Sequence, residues 1–339
     1  MHLAELVSLR PEPCAGLMLT LTQRCPLRCA HCSSSSTMDG QQPDADSLVR
    51  FVGSFPESEP PRLVLMTGGE PLLRPDLVVE LAAAARATGT RTALLTGAFF
   101  ARDPRPPTRI WRAITAVDHV SVSIDVFHER QVSRHDVFGL LRLIRDAGIN
   151  ASLHLAGFGP DDPYLADLLV DVRAAFADGI PALVNRIRPI GRAASWAAAQ
   201  PVPATDAVLP CAMAAWPVVA HDGVIVACCN QSTVDIRPVP PHLRLGHLGE
   251  DDWKTVRARS LSSPALRMIR AAGPRYLVRQ PATGYCQACR GLDAAAMEPL
   301  RALAEGPAGE LLDRHAASTQ LEAGPTALLR RHGAYLVGS

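Results

Sequence analysis

The sequence holds no apolar run of about 18 residues or more, which excludes an ordinary transmembrane helix. Its first ten residues mix acid and base and have no long apolar stretch, so they do not read as a secretory signal. An excess of charge is missing too. The 34 basic and 33 acidic residues leave a formal net charge of +1, which gives no electrostatic footprint for nucleic acid. Lysine is nearly absent: Lys254 stands alone, and the other basic residues are arginines. What is there is a sizeable core. Hydrophobic residues make up 47% of 339, enough for about two domains at roughly 150 residues each. Nine cysteines occur in a chain without an export signal, so the expected compartment is the reducing cytoplasm. Clustered cysteines there are more often metal ligands than disulfides.

Short apolar runs at 17–22, 62–67, 92–96, 120–124, 151–156 and 182–188 alternate with stretches that hold helices, among them 75–87, 108–116, 136–147 and 163–177. Nearly continuous apolar strands with helical crossovers predict a parallel α/β architecture. Beyond residue 192 the pattern changes. An Ala- and Pro-rich linker is expected at 193–210, then a hairpin in which 218–220 and 224–227 flank Asp222-Gly223, a dipeptide suited to a tight turn. Residues 231–245 are Pro-rich and read as irregular, and helix is expected at 293–304 and 309–316.

Directly after the first strand, Cys25, Cys29 and Cys32 follow a C-x3-C-x2-C spacing. A 4Fe–4S cluster normally takes four thiolates. Three on one loop leave one iron open to a ligand, as a catalytic zinc keeps an open position. Zinc or incidental cysteines are the alternative, although zinc usually wants a fourth ligand and His31 alone is nearby. At the end of the second strand stands Gly68-Gly69-Glu70-Pro71, where glycines allow close approach to the backbone and a carboxylate takes a hydrogen bond from an ammonium. Thr96-Gly97 closes the third strand. Ser123 and Asp125 alternate onto one face at the end of the fourth.

These motifs resemble the radical S-adenosylmethionine (SAM) superfamily, over residues 16–192. The resemblance implies a partial (β/α)6 barrel, a SAM-cleaving 4Fe–4S cluster on Cys25, Cys29 and Cys32, and SAM contacts from His31, Gly68, Gly69, Glu70, Pro71, Thr96, Ser123 and Asp125. His31 replaces the family's usual aromatic residue, and the Asn of the usual Thr-Asn-Gly is absent. His128 and Arg130 are expected on a surface loop. Further on, Cys211, Gly223, Cys228, Cys286 and Cys289 resemble the SPASM/twitch extension. They imply one auxiliary 4Fe–4S cluster, two clusters in all, in a small domain at 211–292 ahead of a helical tail at 293–339. Residues 1–15 form an arm. The same four thiolates also suit a structural zinc. Cys229 is expected to be an inert thiol or, as a sharper alternative, a hydrogen-atom donor; Cys14 shows no clear chemistry.

The implied function is reductive SAM cleavage, followed by hydrogen abstraction from a natural-product substrate. A ribosomal precursor peptide is expected first, and an aminoglycoside, sugar or aminocyclitol is the alternative. About fifteen residues precede the core, too few for an N-terminal leader-binding domain, which weighs toward the small molecule. An electron donor such as flavodoxin or ferredoxin is implied, and neither nucleic acid nor membrane is expected. A non-catalytic zinc or redox-sensing protein is the alternative of another class.

Overall fold

The computed structural model describes residues 1–159, 161–177, 179–198, 210–277, 285–293, 298, 301–324 and 334–337. Six parallel strands form its centre: β1 (Gly16–Thr20), β2 (Leu63–Thr67), β3 (Arg91–Thr96), β4 (His119–Ile124), β5 (Asn150–Gly157) and β6 (Ala182–Arg186). All lie within two residues of the expected bounds. Each pairs in parallel with the next, so all their C-terminal ends meet at one rim. Active sites of (β/α) barrels sit on that rim.

Crossover helices cover the outer face. They are α2 (Ala45–Gly53), α3 (Pro75–Ala87), α4 (Thr108–Ala116), α5 (Arg134–Asp146) and α6 (Pro163–Phe176), with α1 (Leu3–Ser8) preceding β1. Their starts are written locally. Asp44, Ser133 and Asp162 cap α2, α5 and α6 with side-chain oxygens that accept backbone N–H groups, satisfying donors the helix leaves orphaned. Outward strand residues such as Leu17, Leu19 and Val64 are fully buried beneath these helices.

The region after residue 210 continues the same sheet. The expected hairpin forms as β7 (Val218–Val219) and β8 (Val224–Val226), turned at Gly223 with φ +84°. β7 pairs in parallel with β1, Met18 opposite Val218. The expectation of an irregular 231–245 needs correction: α7 (Gln231–Val234) lies there, and β9 (Arg244–His247) begins there and pairs with β8. Two helices that periodicity did not announce follow, α8 (Trp253–Ser262) and α9 (Pro264–Ala272). α10 (Pro274–Leu277) and α11 (Tyr285–Arg290) come next, then a helix over Gly306–Glu322 and β10 (Ala334–Val337), antiparallel to β6. Most of the expected linker, 199–209, and half of the expected helix at 293–304 lie outside the described residues, while Arg301–Ala304 is helical.

Trp216 joins the two regions. It is fully buried, its Nε1 donates to Leu9 O at 3.0 Å, and a Cβ on Gly16 would stand 2.4 Å from its ring. Among the described residues no helix is long and apolar enough to cross a membrane.

Candidate functional site

Cys25, Cys29 and Cys32 sit on the loop that leaves β1, and all three line one cleft of ≈ 380 Å³. The loop is pinned from several sides. Cys32 N donates to Cys29 O at 3.1 Å and Cys25 N to Thr37 O at 3.2 Å. Arg192 Nε donates to Cys29 O at 2.8 Å, its Nη1 to Ser36 O at 2.7 Å, and its backbone N to Cys32 O at 2.9 Å. Gly191 stands at φ +57° just before it, where a Cβ would be 2.3 Å from Cys32 O. Trp196 Nε1 donates to Ala30 O at 3.1 Å, and its ring leans on Phe127 at 5.1 Å. The clamps from Arg192 and Trp196 do not announce themselves in the sequence, because they join residues more than 60 positions apart.

Burial pushes the Cys25 thiol up to about 11 and the Cys29 thiol up to about 12. Buried sulfurs of this kind stay protonated until a cation draws the proton off.

Gly68 and Gly69 also line the cleft. Their lack of side chains serves the protein first. A Cβ on Gly68 would fall 2.3 Å from Thr22 O and one on Gly69 2.4 Å from Arg24 O, so both glycines admit the cysteine loop. Glu70 and Pro71 behave differently from the expectation. Both are buried and neither lines the cleft. Glu70 Oε1 accepts from Leu72 N at 3.0 Å and Thr96 Oγ1 at 2.8 Å, and Oε2 from Gly97 N at 2.8 Å. Its carboxylate braces the turn after β2 against the end of β3. Pro71 begins the short 3₁₀ turn Pro71–Leu73. Burial raises the Glu70 carboxyl to about 7 against the pull of these three hydrogen bonds.

Thr96 and Ser123 line the cleft, as does Asp125. Asp125 Oδ1 accepts from Phe127 N at 2.8 Å and His128 N at 2.9 Å. Its Oδ2 lies 3.1 Å from His31 Nε2. Burial draws His31 down to about 4, so at neutral pH its Nε2–H donates to Asp125. That leaves His31 Nδ1 bare, buried and without a partner. His128 is not on a surface loop. It is buried, lines the cleft and donates from Nε2 to Gly97 O at 2.6 Å, which leaves its Nδ1 equally orphaned. Arg130 is exposed, as expected, and lies over Phe127. Two orphaned nitrogens and three half-buried thiols around one cleft fit a bound polar group and a thiolate-held cluster.

Cys211, Cys228, Cys286 and Cys289 come together from three elements: the start of a 3₁₀ turn, the end of β8, and α11, where the last two stand three residues apart. Burial raises Cys211 to about 11 and Cys289 to about 12, and Cys228 well above its ordinary value; neighbouring thiols push each the same way. Asn230 Nδ2 donates to Cys286 Sγ at 3.2 Å and its backbone N to Cys228 Sγ at 3.4 Å. Among the described residues no three of these side chains stand as a closed metal shell. Burial and proximity are what the two thiol sets show. Cys229 points away from the second set and lines the cleft, where Arg10 Nη1 donates to its Sγ at 3.1 Å.

Residues 19–171 match the model of the Radical SAM superfamily. The chain is 31% identical over 155 residues to a PqqA peptide cyclase of Gluconobacter oxydans, covering 42% of each chain. It is 29% identical over 174 residues to one of Methylocella silvestris, covering 51% of this chain and 39% of that one. The matches thus span about two fifths of those relatives' length. Among solved structures, Streptococcus suis SuiB bound to precursor peptide SuiA has a similar fold, with a TM-score of 0.55 at 11% identity over 83% of this chain and 76% of that one.

Proposed function

We propose that the chain, whose residues 19–171 match the Radical SAM superfamily model, abstracts a hydrogen atom from a peptide substrate. SAM and a 4Fe–4S cluster on Cys25, Cys29 and Cys32 are the agents. When bound and reduced, they supply a carbon-centred radical strong enough to break an unactivated C–H bond. The observation that carries the reading is the single cleft shared by the three half-buried thiols, Gly68, Gly69, Thr96, Ser123 and the His31–Asp125 pair.

The residues have distinct tasks. Arg192 and Gly191 hold the cysteine loop. Glu70, with Pro71, fixes the Gly68–Gly69 turn, which presents backbone to SAM. Thr96 and Ser123 offer hydroxyls, and Asp125 fixes the tautomer of His31 so that its bare Nδ1 accepts a donor from SAM. Cys211, Cys228, Cys286 and Cys289 hold an auxiliary 4Fe–4S cluster. Cys229 S–H returns a hydrogen atom to the substrate radical, and the sulfur radical left behind takes an electron from a donor protein of flavodoxin or ferredoxin type and a proton from water. The peptide assignment draws support from the names of the relatives.

Anaerobically reconstituted enzyme should hold about eight iron and eight sulfide per chain, the content of two 4Fe–4S clusters. It should form 5′-deoxyadenosine under strong reduction. Cys29→Ala should abolish that product, and normal formation by the variant defeats the assignment. Turnover in D2O should place one thiol-derived deuterium in the product, and Cys229→Ser should remove it. Undiminished incorporation rules out the donor role.

A further inference from the structure

We propose that the lower end of the cleft is a carboxylate-binding subsite built on Arg10, and that the substrate presents an acidic group to it. The proposal rests on the reading above only in taking the cleft as the substrate's. Beneath the cysteine loop the barrel interior continues into a chamber of ≈ 160 Å³ that shares Arg10, Met18, His154 and Asn185 with the cleft. Its walls are apolar, with Leu65, Leu95 and Leu183 from the strands, and Leu6 and Val7 of α1 close the floor.

Arg10 is one of two cations that line both spaces, Arg188 being the other. Arg10 is half-buried, and its partners are two sulfurs and an aromatic face. Nη1 donates to Cys229 Sγ at 3.1 Å and to Met18 Sδ at 3.8 Å, and the guanidinium lies 4.5 Å over Trp216. All of these are weak acceptors for a group with five N–H donors. Among the described residues Asp125 is the one acid lining either space, and His31 and two backbone amides occupy it. A half-buried guanidinium with no carboxylate beside it has N–H donors to spare, and its fork geometry best answers a carboxylate.

Arg10 lies deeper in the cleft than the Gly68–Gly69 turn. Arg10 stands at the level of Met18, whereas Gly69 N bonds Thr22 O at 2.6 Å, four residues further along the chain. At about 3.3 Å per residue the two levels are about 13 Å apart. His154, on the same wall, accepts from Asn185 Nδ2 at 2.7 Å and adds no negative charge to compete.

Cys229 serves as the reporter, since its thiol touches the guanidinium. Alkylation of Cys229 in the holoenzyme, without air, is followed by site-resolved mass spectrometry with anionic iodoacetate and neutral iodoacetamide. The ratio of the two rates cancels the thiol's own reactivity. It should exceed that of N-acetylcysteine by at least about fivefold, the scale of one charge contact in a partly screened site. The excess should vanish in Arg10→Gln and survive in Arg10→Lys. A wild-type ratio equal to that of N-acetylcysteine, or one unchanged in Arg10→Gln, overturns the subsite. If Arg10→Gln does not fold, Arg10→Met is read in its place, because Arg188 lines the same spaces and the wild-type ratio alone does not single out Arg10. Protection of Cys229 by N-acetylglutamate methylamide over glucuronate assigns the carboxylate to a peptide, and the reverse assigns it to a sugar acid. Equal protection by the neutral glutamine analogue overturns the proposal. Alkylation needs no SAM cleavage, so a wild-type enzyme that forms no 5′-deoxyadenosine sinks the functional reading and leaves this one standing.

Discussion

Glu70 shows how a motif residue is spent. The Gly-Gly-Glu-Pro run is visible in the sequence, but the donors that fill the carboxylate, Thr96 Oγ1 and Gly97 N, lie 26 and 27 positions away and belong to the next strand's end. A linear pattern shows that a carboxylate is present and leaves open what it faces. The consequence is a pH signature. The folded-state value near 7 stands above the ordinary 4.5, so Glu70 contributes fully to stability below pH 4.5, and that contribution is lost as pH rises through about 7. At about 1.4 kcal/mol per pKa unit, the change is on the order of 3 kcal/mol. Glu70→Gln removes the titration. Urea unfolding of the reduced apo-protein across that window should give wild-type and variant stabilities that converge at the acid end and separate toward neutrality. Parallel curves exclude the effect.

Among the elements, the parallel strands were legible to within two residues because strands buried on both faces read as apolar runs bounded by turn residues. α8 was not, since its buried positions Trp253, Val256 and Ser260 share one face but one of the three is polar, which leaves the apolar stripe too short to read. β9 hid behind a proline-rich approach, and β10 is only four residues long. The cysteine loop was legible as ligands but not as a clamped element. Arg192 makes three hydrogen bonds to it, and those bonds set how tightly the loop holds whatever its thiols bind. Arg192→Met should cost only about 1–3 kcal/mol of global stability, the usual penalty for orphaned acceptors. Its iron should nevertheless pass to a chelator several-fold faster than wild-type iron. Gly191→Ala should do the same through its positive φ and the clash with Cys32 O. Chelator-release kinetics at equal melting temperature are the measurement, and wild-type rates in both variants would show that the clamp is idle.

At the scale of the whole molecule, the two regions that composition separates at residue 192 share one sheet. The described order runs β10-β6-β5-β4-β3-β2-β1-β7-β8-β9 without interruption. The join at β1–β7 is short, but its surroundings are dense. Trp216 fills the space opened by Gly16 and packs on Leu6, Leu9 and Leu63, and Trp253 packs on Phe55 at 5.4 Å with its Nε1 donating to Glu59 O. On the far side, Arg270 grips Asp313 with bonds of 2.7 and 2.5 Å, both side chains buried. Removing one partner of such a pair costs about 3–5 kcal/mol, because the other charge stays buried. Arg270→Met should therefore lower the stability of the entire chain, core strands included. A chain ended at residue 198 would leave the β1 edge bare and the Trp216 pocket open to water, conditions that favour aggregation over an independent core. Thermal unfolding followed by tryptophan fluorescence, weighted by Trp216 and Trp253, and by far-ultraviolet circular dichroism should give coincident midpoints. Arg270→Met should shift both together. Two separated transitions, with the variant moving only one, would mean that the shared sheet does not couple the regions and that the cleft between Arg10 and Cys229 opens without unfolding the barrel.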